Sequence, residues 1–158
     1  MSDTLGAAPA FFTEPQRKMM FHVLNRIIPP GDGFPGAGDL GIVRYLDAVV
    51  SSSAQLKRRF TEGLARIEIA GQEDGPAGFA SLRYDAKDKV LRQVESALPE
   101  FFASLVKQTY NGYYTNATVL GLLGPEVRAP QPLGHDVEPG DLSTLEAISK
   151  RGTAYRPV

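Results

Sequence analysis

Apolar residues recur at helical spacing in several separated stretches, and residues that start or stop helices stand between them. Met19, Met20, Val23, Leu24, Ile27 and Ile28 share one face of a repeat of about 3.6 residues. Thr13-Glu14-Pro15-Gln16 just before them is a helix start: a Thr cap, a Gln three residues on, and an early Pro whose missing N–H costs nothing there. Pro29-Pro30-Gly31 stops this first helix. Ile42, Val43, Leu46, Val49 and Val50 predict a second, with Asp39 near its start. Ser51-Ser52-Ser53 breaks it and can cap a third, long helix bearing Leu56, Phe60, Leu64 and Ile67. The other face of that helix carries Lys57, Arg58, Arg59, Glu62, Arg66 and Glu68, which reads as a solvated surface with near-neighbour ion pairs.

Gly71 to Gly78 reads as a polar, glycine-rich connection that Phe79 and Leu82 dock to the core. Asp85 can cap a fourth helix with Val90, Leu91, Val94 and Leu98. Pro99 starts a fifth with Phe101, Phe102, Leu105 and Val106, and Asn111-Gly112 is placed to end it. Asn116 can cap a short sixth with Val119, Leu120 and Leu123, closed by Gly124-Pro125. Beyond this the chain reads as extended and proline-rich, with one short helical stretch near Leu142 to Ile148. Few segments alternate with period two, so no sheet is expected. The expectation is an all-α, single-domain bundle of about six helices with an extended Pro-rich C-terminal segment. It divides into an N-terminal arm over 1–12, a helical domain over 13–124, and a partner-wrapping tail over 125–158 belonging to the same domain.

A chain of 158 residues, 42% hydrophobic and 22% charged, suits one ordinary globular domain. The net charge of -1 supplies no field for nucleic acid or an anionic membrane. No apolar run approaches the roughly 20 residues that span a bilayer. The absence of cysteine removes disulfides, thiolate catalysis, iron–sulfur ligation and covalent haem attachment. Residues 1–10 have no positive n-region and no long apolar core, so they do not read as a secretory signal. On its own signals the chain is cytoplasmic; it is periplasmic if a signal was trimmed or a signal-bearing partner carries it.

Candidate chemistry is sparse. Gly31 to Gly38 needs unusual backbone angles, but no strand precedes it and no Lys-Ser/Thr follows, so it reads as a tight inter-helix turn and not as a phosphate loop. His22 lies one position off the first apolar stripe and reads as a packing residue. His135 has Asp136 beside it, and an acid–base pair is conceivable; no nucleophile or third group accompanies them, and a structural or interface role is favoured. No metal-binding spacing occurs, and no Gly-x-Gly-x-x-Gly follows a strand to hold FAD or NAD. Tyr110, Tyr113 and Tyr114 cluster around Gly112, suiting either a helix–helix corner or an interface. Pro130 to His135 reads as a polyproline-like strip that must lie on its own domain, on a partner, or in water. Tyr155 and Arg156 are side chains of the kind that anchor a tail in a groove.

Taken in order, several segments resemble the gluconate 2-dehydrogenase subunit 3 family. They are Arg26-Ile27-Ile28-Pro29-Pro30 with the following Gly36-Ala37, Phe60-Thr61-Glu62-Gly63-Leu64, and Thr109-Tyr110-Asn111-Gly112-Tyr113-Tyr114-Thr115 backed by Leu120-Gly121-Leu122-Leu123-Gly124. Pro130-Gln131-Pro132-Leu133-Gly134-His135 and Arg151-Gly152-Thr153-Ala154-Tyr155-Arg156-Pro157 complete the series. The resemblance implies a mostly helical, cofactor-free and non-catalytic subunit. It would bind, stabilise and mature a large FAD-dependent oxidoreductase of the glucose–methanol–choline type that oxidises sugars or sugar-like alcohols. A cytochrome c accepts the electrons in some such complexes. Several members carry a twin-arginine signal; none is present here, which leaves both compartments open. Gly112, Tyr113, Tyr114, Pro130, Gln131, Pro132, Gly134, His135, Tyr155 and Arg156 are then the partner-contacting or motif-structural residues. The rival readings are a small-molecule enzyme using His135 and Asp136, and a helical adaptor unrelated to flavoproteins.

Overall fold

Helix-start chemistry at Thr13 works as its residues predict. The Thr13 hydroxyl accepts from the Gln16 amide at 3.4 Å, and Gln16 Oε1 accepts from the Thr13 amide at 2.9 Å, a reciprocal capping box. The computed structural model describes residues 10–127 and Lys150. It contains α1 (Glu14–Ile27), α2 (Ile42–Ser51), α3 (Ala54–Asp74), α4 (Tyr84–Ala97), α5 (Pro99–Tyr114) and α6 (Ala117–Leu123), with a single 3₁₀ turn at Phe79–Ser81. No strand occurs among the described residues, only an isolated bridge between Gly31 and Phe34. The expected all-α fold is therefore present, with six α-helices among the described residues. The helical stretch expected near Leu142 to Ile148 lies outside the described residues. None of the described helices is long and apolar enough to cross a membrane.

The central element is α3, which packs against α2, α4, α5 and the 3₁₀ turn. Its buried stripe of Phe60, Leu64, Ile67 and Ala70 joins Met20, Leu24, Leu46, Val90, Val94, Phe101 and Leu105 in one core. Phe60 meets Phe101 edge-on, with ring centres 5.3 Å apart. Gly63 makes this approach possible: a Cβ at that position would collide with the Phe101 ring.

Four local expectations are corrected by packing. First, α3 does not end at Gly71 but continues to Asp74. Gly71 is buried, and a Cβ there would lie 2.6 Å from the Phe79 amide nitrogen, so this glycine admits a crossing chain. Second, α5 does not end at Asn111-Gly112 but runs on to Tyr114, with Gly112 inside the helix. Third, α4 begins at Tyr84 with Arg83 in the cap position, not Asp85. Asp85 occupies the first turn, where its charge favours the helix dipole, and pairs with Arg83 at 3.1 Å. Fourth, the ion pair seen on the charged face of α3 is not between near neighbours: Arg59 reaches across to Glu100 of α5.

The end of the N-terminal arm is also firmly held. Asp47 Oδ1 accepts the Phe11 and Phe12 amides at 2.6 and 3.2 Å, and its other oxygen takes Arg17 Nη2 at 2.8 Å. Phe12 is thereby buried in the core against Phe60.

Candidate functional site

The two prolines after α1 cannot continue the helix, so the chain must turn back on itself. Asp32 (φ 52°) and Gly33 (φ 81°) supply the left-handed angles for that reversal, a conformation that Asp and Gly adopt more readily than most residues. The returning loop is then bonded down onto α1. The Ala37 amide donates to the Ile28 carbonyl at 3.0 Å, and the Gly38 amide donates to Asn25 Oδ1 at 2.7 Å. Asp39 accepts from Asn25 Nδ2 at 3.1 Å and from the Gly36 amide at 3.2 Å. Side chains at 36 or 38 would strike Asn25 or the Phe21 carbonyl. These amides are committed to α1 and to the loop itself, which agrees with a structural turn.

Tyr113 on α5 locks the same loop from the opposite side. Its ring is buried, and its hydroxyl donates to the Pro35 carbonyl at 2.8 Å across 78 residues of sequence. Burial, and then the neighbouring Tyr114, push this phenol above its usual range, so it remains a protonated donor. One position earlier, Gly112 lets α5 lie directly on α2. A Cβ there would be 2.6 Å from the Tyr45 ring and 2.9 Å from Ile42 Cγ2. The segments 26–30, 36–37 and 109–115 thus converge on one corner of the bundle.

The outer side of that corner is aromatic and open. Tyr110 and Tyr114 stand one turn apart on α5, 44% and 43% exposed, with stacked rings 5.9 Å apart. Beyond them Leu122, Leu123 and Val127 are also exposed. Tyr110 overhangs a groove of about 350 Å³ shared with Ile27, Leu91, Phe102 and Val106. Arg26 and Asp88 form a bidentate pair at 2.7 and 2.8 Å in the same groove, and Arg26 also lies 5.0 Å from the Tyr84 ring centre. The bond from Arg26 holds the Asp88 carboxyl below the usual carboxylate range. Because that value is depressed in the folded state, the pair's contribution to stability is complete above the ordinary carboxylate range. It is lost as pH falls through the lower, folded-state value.

Among the sequence-predicted residues, Gly112 and Tyr113 face inward and Tyr114 faces outward. Pro130, Gln131, Pro132, Gly134, His135, Asp136, Tyr155 and Arg156 lie outside the described residues. His22 is half-buried, edge-on to Phe21 at 5.2 Å. Burial, then Lys87 and Lys18, lower its pKa. No cluster of three or more potential metal ligands occurs among the described residues. Two features escaped the sequence reading. The Arg26–Asp88 pair spans 62 residues and leaves no local signature. Lys87 did leave one: with Val90, Leu91 and Val94 it completes an i, i+3, i+4, i+7 stripe, so a lysine occupies an apolar position.

The family model described as gluconate 2-dehydrogenase subunit 3 matches residues 14–123, the whole run from the start of α1 to the end of α6. No curated protein and no solved structure matches the chain.

Proposed function

The chain belongs to the gluconate 2-dehydrogenase subunit 3 family, and from this premise we propose that it is the small accessory subunit of a multi-subunit dehydrogenase. In this reading catalysis belongs to a large FAD-dependent subunit of the glucose–methanol–choline type that oxidises a sugar or related alcohol. Electrons leave that subunit for an acceptor such as a cytochrome c. The small chain stabilises and matures the large one.

The observation that carries the reading is the division of labour at the end of α5. Gly112 and Tyr113 are consumed in fixing the corner, while Tyr110 and Tyr114 are left exposed beside a groove. A rigid base presenting amphipathic aromatics is what a protein interface requires, because ordered side chains lose little entropy on docking. The charged groups of the bundle support the same reading: Arg17–Asp47, Arg26–Asp88 and Arg59–Glu100 hold elements together.

Co-expression with the large flavoprotein subunit is the test. The expected result is a soluble, flavin-loaded complex and a large subunit that aggregates or loses flavin alone. Equal solubility, flavin content and activity without this chain would sink the proposal.

A further inference from the structure

A lysine on an apolar stripe must either snorkel to water or find a carboxylate. Lys87 does neither fully. It is 5% exposed, yet it has no ion pair among the described residues. Its ammonium lies 5.8 Å from the centre of the Tyr84 ring, a weak substitute for a counter-ion. It lines a hollow of about 330 Å³ between α1 and the start of α4, together with Phe21, His22, Pro29, Pro30 and Tyr84.

The nearby acids are already engaged. Asp88 is held bidentately by Arg26, and the oxygens of Asp39, which also borders the hollow, accept from Asn25 and the Gly36 amide. Asp39 keeps its negative charge at the edge of the hollow, but no described carboxylate forms an ion pair with Lys87, so the positive charge is local to its ammonium. Burial, and then Arg26, lower the Lys87 pKa, and Lys87 in turn helps to lower that of His22. An anion in the hollow would relieve each of these costs.

We propose that this hollow is a socket for an Asp or Glu side chain of the large partner subunit, with Lys87 as its cationic floor. The rim favours a protein over a free ion. Tyr84 is 71% exposed and Phe21 39% exposed, and a small ion would leave both aromatics in water. An acidic side chain flanked by apolar groups would cover the rim and neutralise the floor together, the composition of an interface hot spot. The inference rests on the accessory-subunit reading and specifies where the partner is gripped.

The decisive variant is Lys87→Met in the full chain. Because it replaces a cation that has no counter-ion among the described residues with an apolar side chain on an apolar stripe, the isolated variant should melt at or above the wild-type temperature. Its affinity for the large subunit should nevertheless fall by at least about tenfold. Tyr84→Ala, at a largely exposed position where the loss of stability should be small, should weaken the complex in the same direction. In the wild-type complex, zero-length carbodiimide crosslinking should join Lys87 to an acidic residue of the large subunit.

Unchanged affinity in Lys87→Met and Tyr84→Ala overturns the socket, as does a crosslink from Lys87 to an acid within residues 128–158 of its own chain. If millimolar acetate stabilises the wild type but not Lys87→Met, while both bind the partner equally, the hollow is a small-ion site and the socket is again overturned. A wild-type chain that binds no flavoprotein is a different result, because it removes the accessory-subunit reading itself.

Discussion

Tyr113 and Tyr114 are chemically identical neighbours at the end of one helix, yet they face opposite environments. The Tyr113 ring is 3% exposed and its hydroxyl is bonded to a carbonyl 78 residues away, whereas Tyr114 is 43% exposed and stacks on Tyr110. Successive helix positions point about 100° apart, so a single step moves a side chain from the core to the surface. The inward face stores stability, while the outward face presents surface that is left open among the described residues. A run of aromatics in a motif therefore has no single role, and each ring must be assigned from the face it occupies.

The sharpest way to break this contrast is Tyr113→Ala. It empties a buried aromatic site and strips the Pro35 carbonyl of its donor, so it should cost about 3–5 kcal/mol in denaturant unfolding of the isolated chain. Gly112→Ala comes next. The added methyl would press on Tyr45 and Ile42, and overpacking of this kind should cost about 1–3 kcal/mol by the same measurement. Although alanine is the better helix former, the loss would show that packing and not propensity selects glycine there. Tyr114→Ala should be the mildest, within about 0.5 kcal/mol of wild type in the isolated chain. Titration against the large subunit should show weaker binding for the same variant. If Tyr114→Ala destabilised the isolated chain as much as Tyr113→Ala, the division between the two faces would be wrong.

The Tyr110–Tyr114 face and the Lys87 hollow differ in how much of their character was legible in the sequence. The tyrosines stood out because they cluster around Gly112, and either a corner or an interface could be read from them. The hollow was not read, although a lysine at the head of the Val90–Leu91–Val94 stripe was visible. Its meaning depends on Arg26 having claimed Asp88, a pairing that neither sequence neighbourhood reveals.

The amino-acid sequence by itself determined the helices, the Thr13, Ser53 and Asn116 caps, and the apolar stripes that face α3. These features depend on residues within a few positions of one another, where propensity and capping act. Tertiary structure alone decided that Gly71 and Gly112 lie inside helices and not in turns, and that they and Gly63 serve close packing, because the groups they make room for come from other segments. It also decided which tyrosine is inward and that Lys87 has no carboxylate partner among the described residues. Those outcomes depend on which helices meet and at what separation, and that is set by the packing of the whole core.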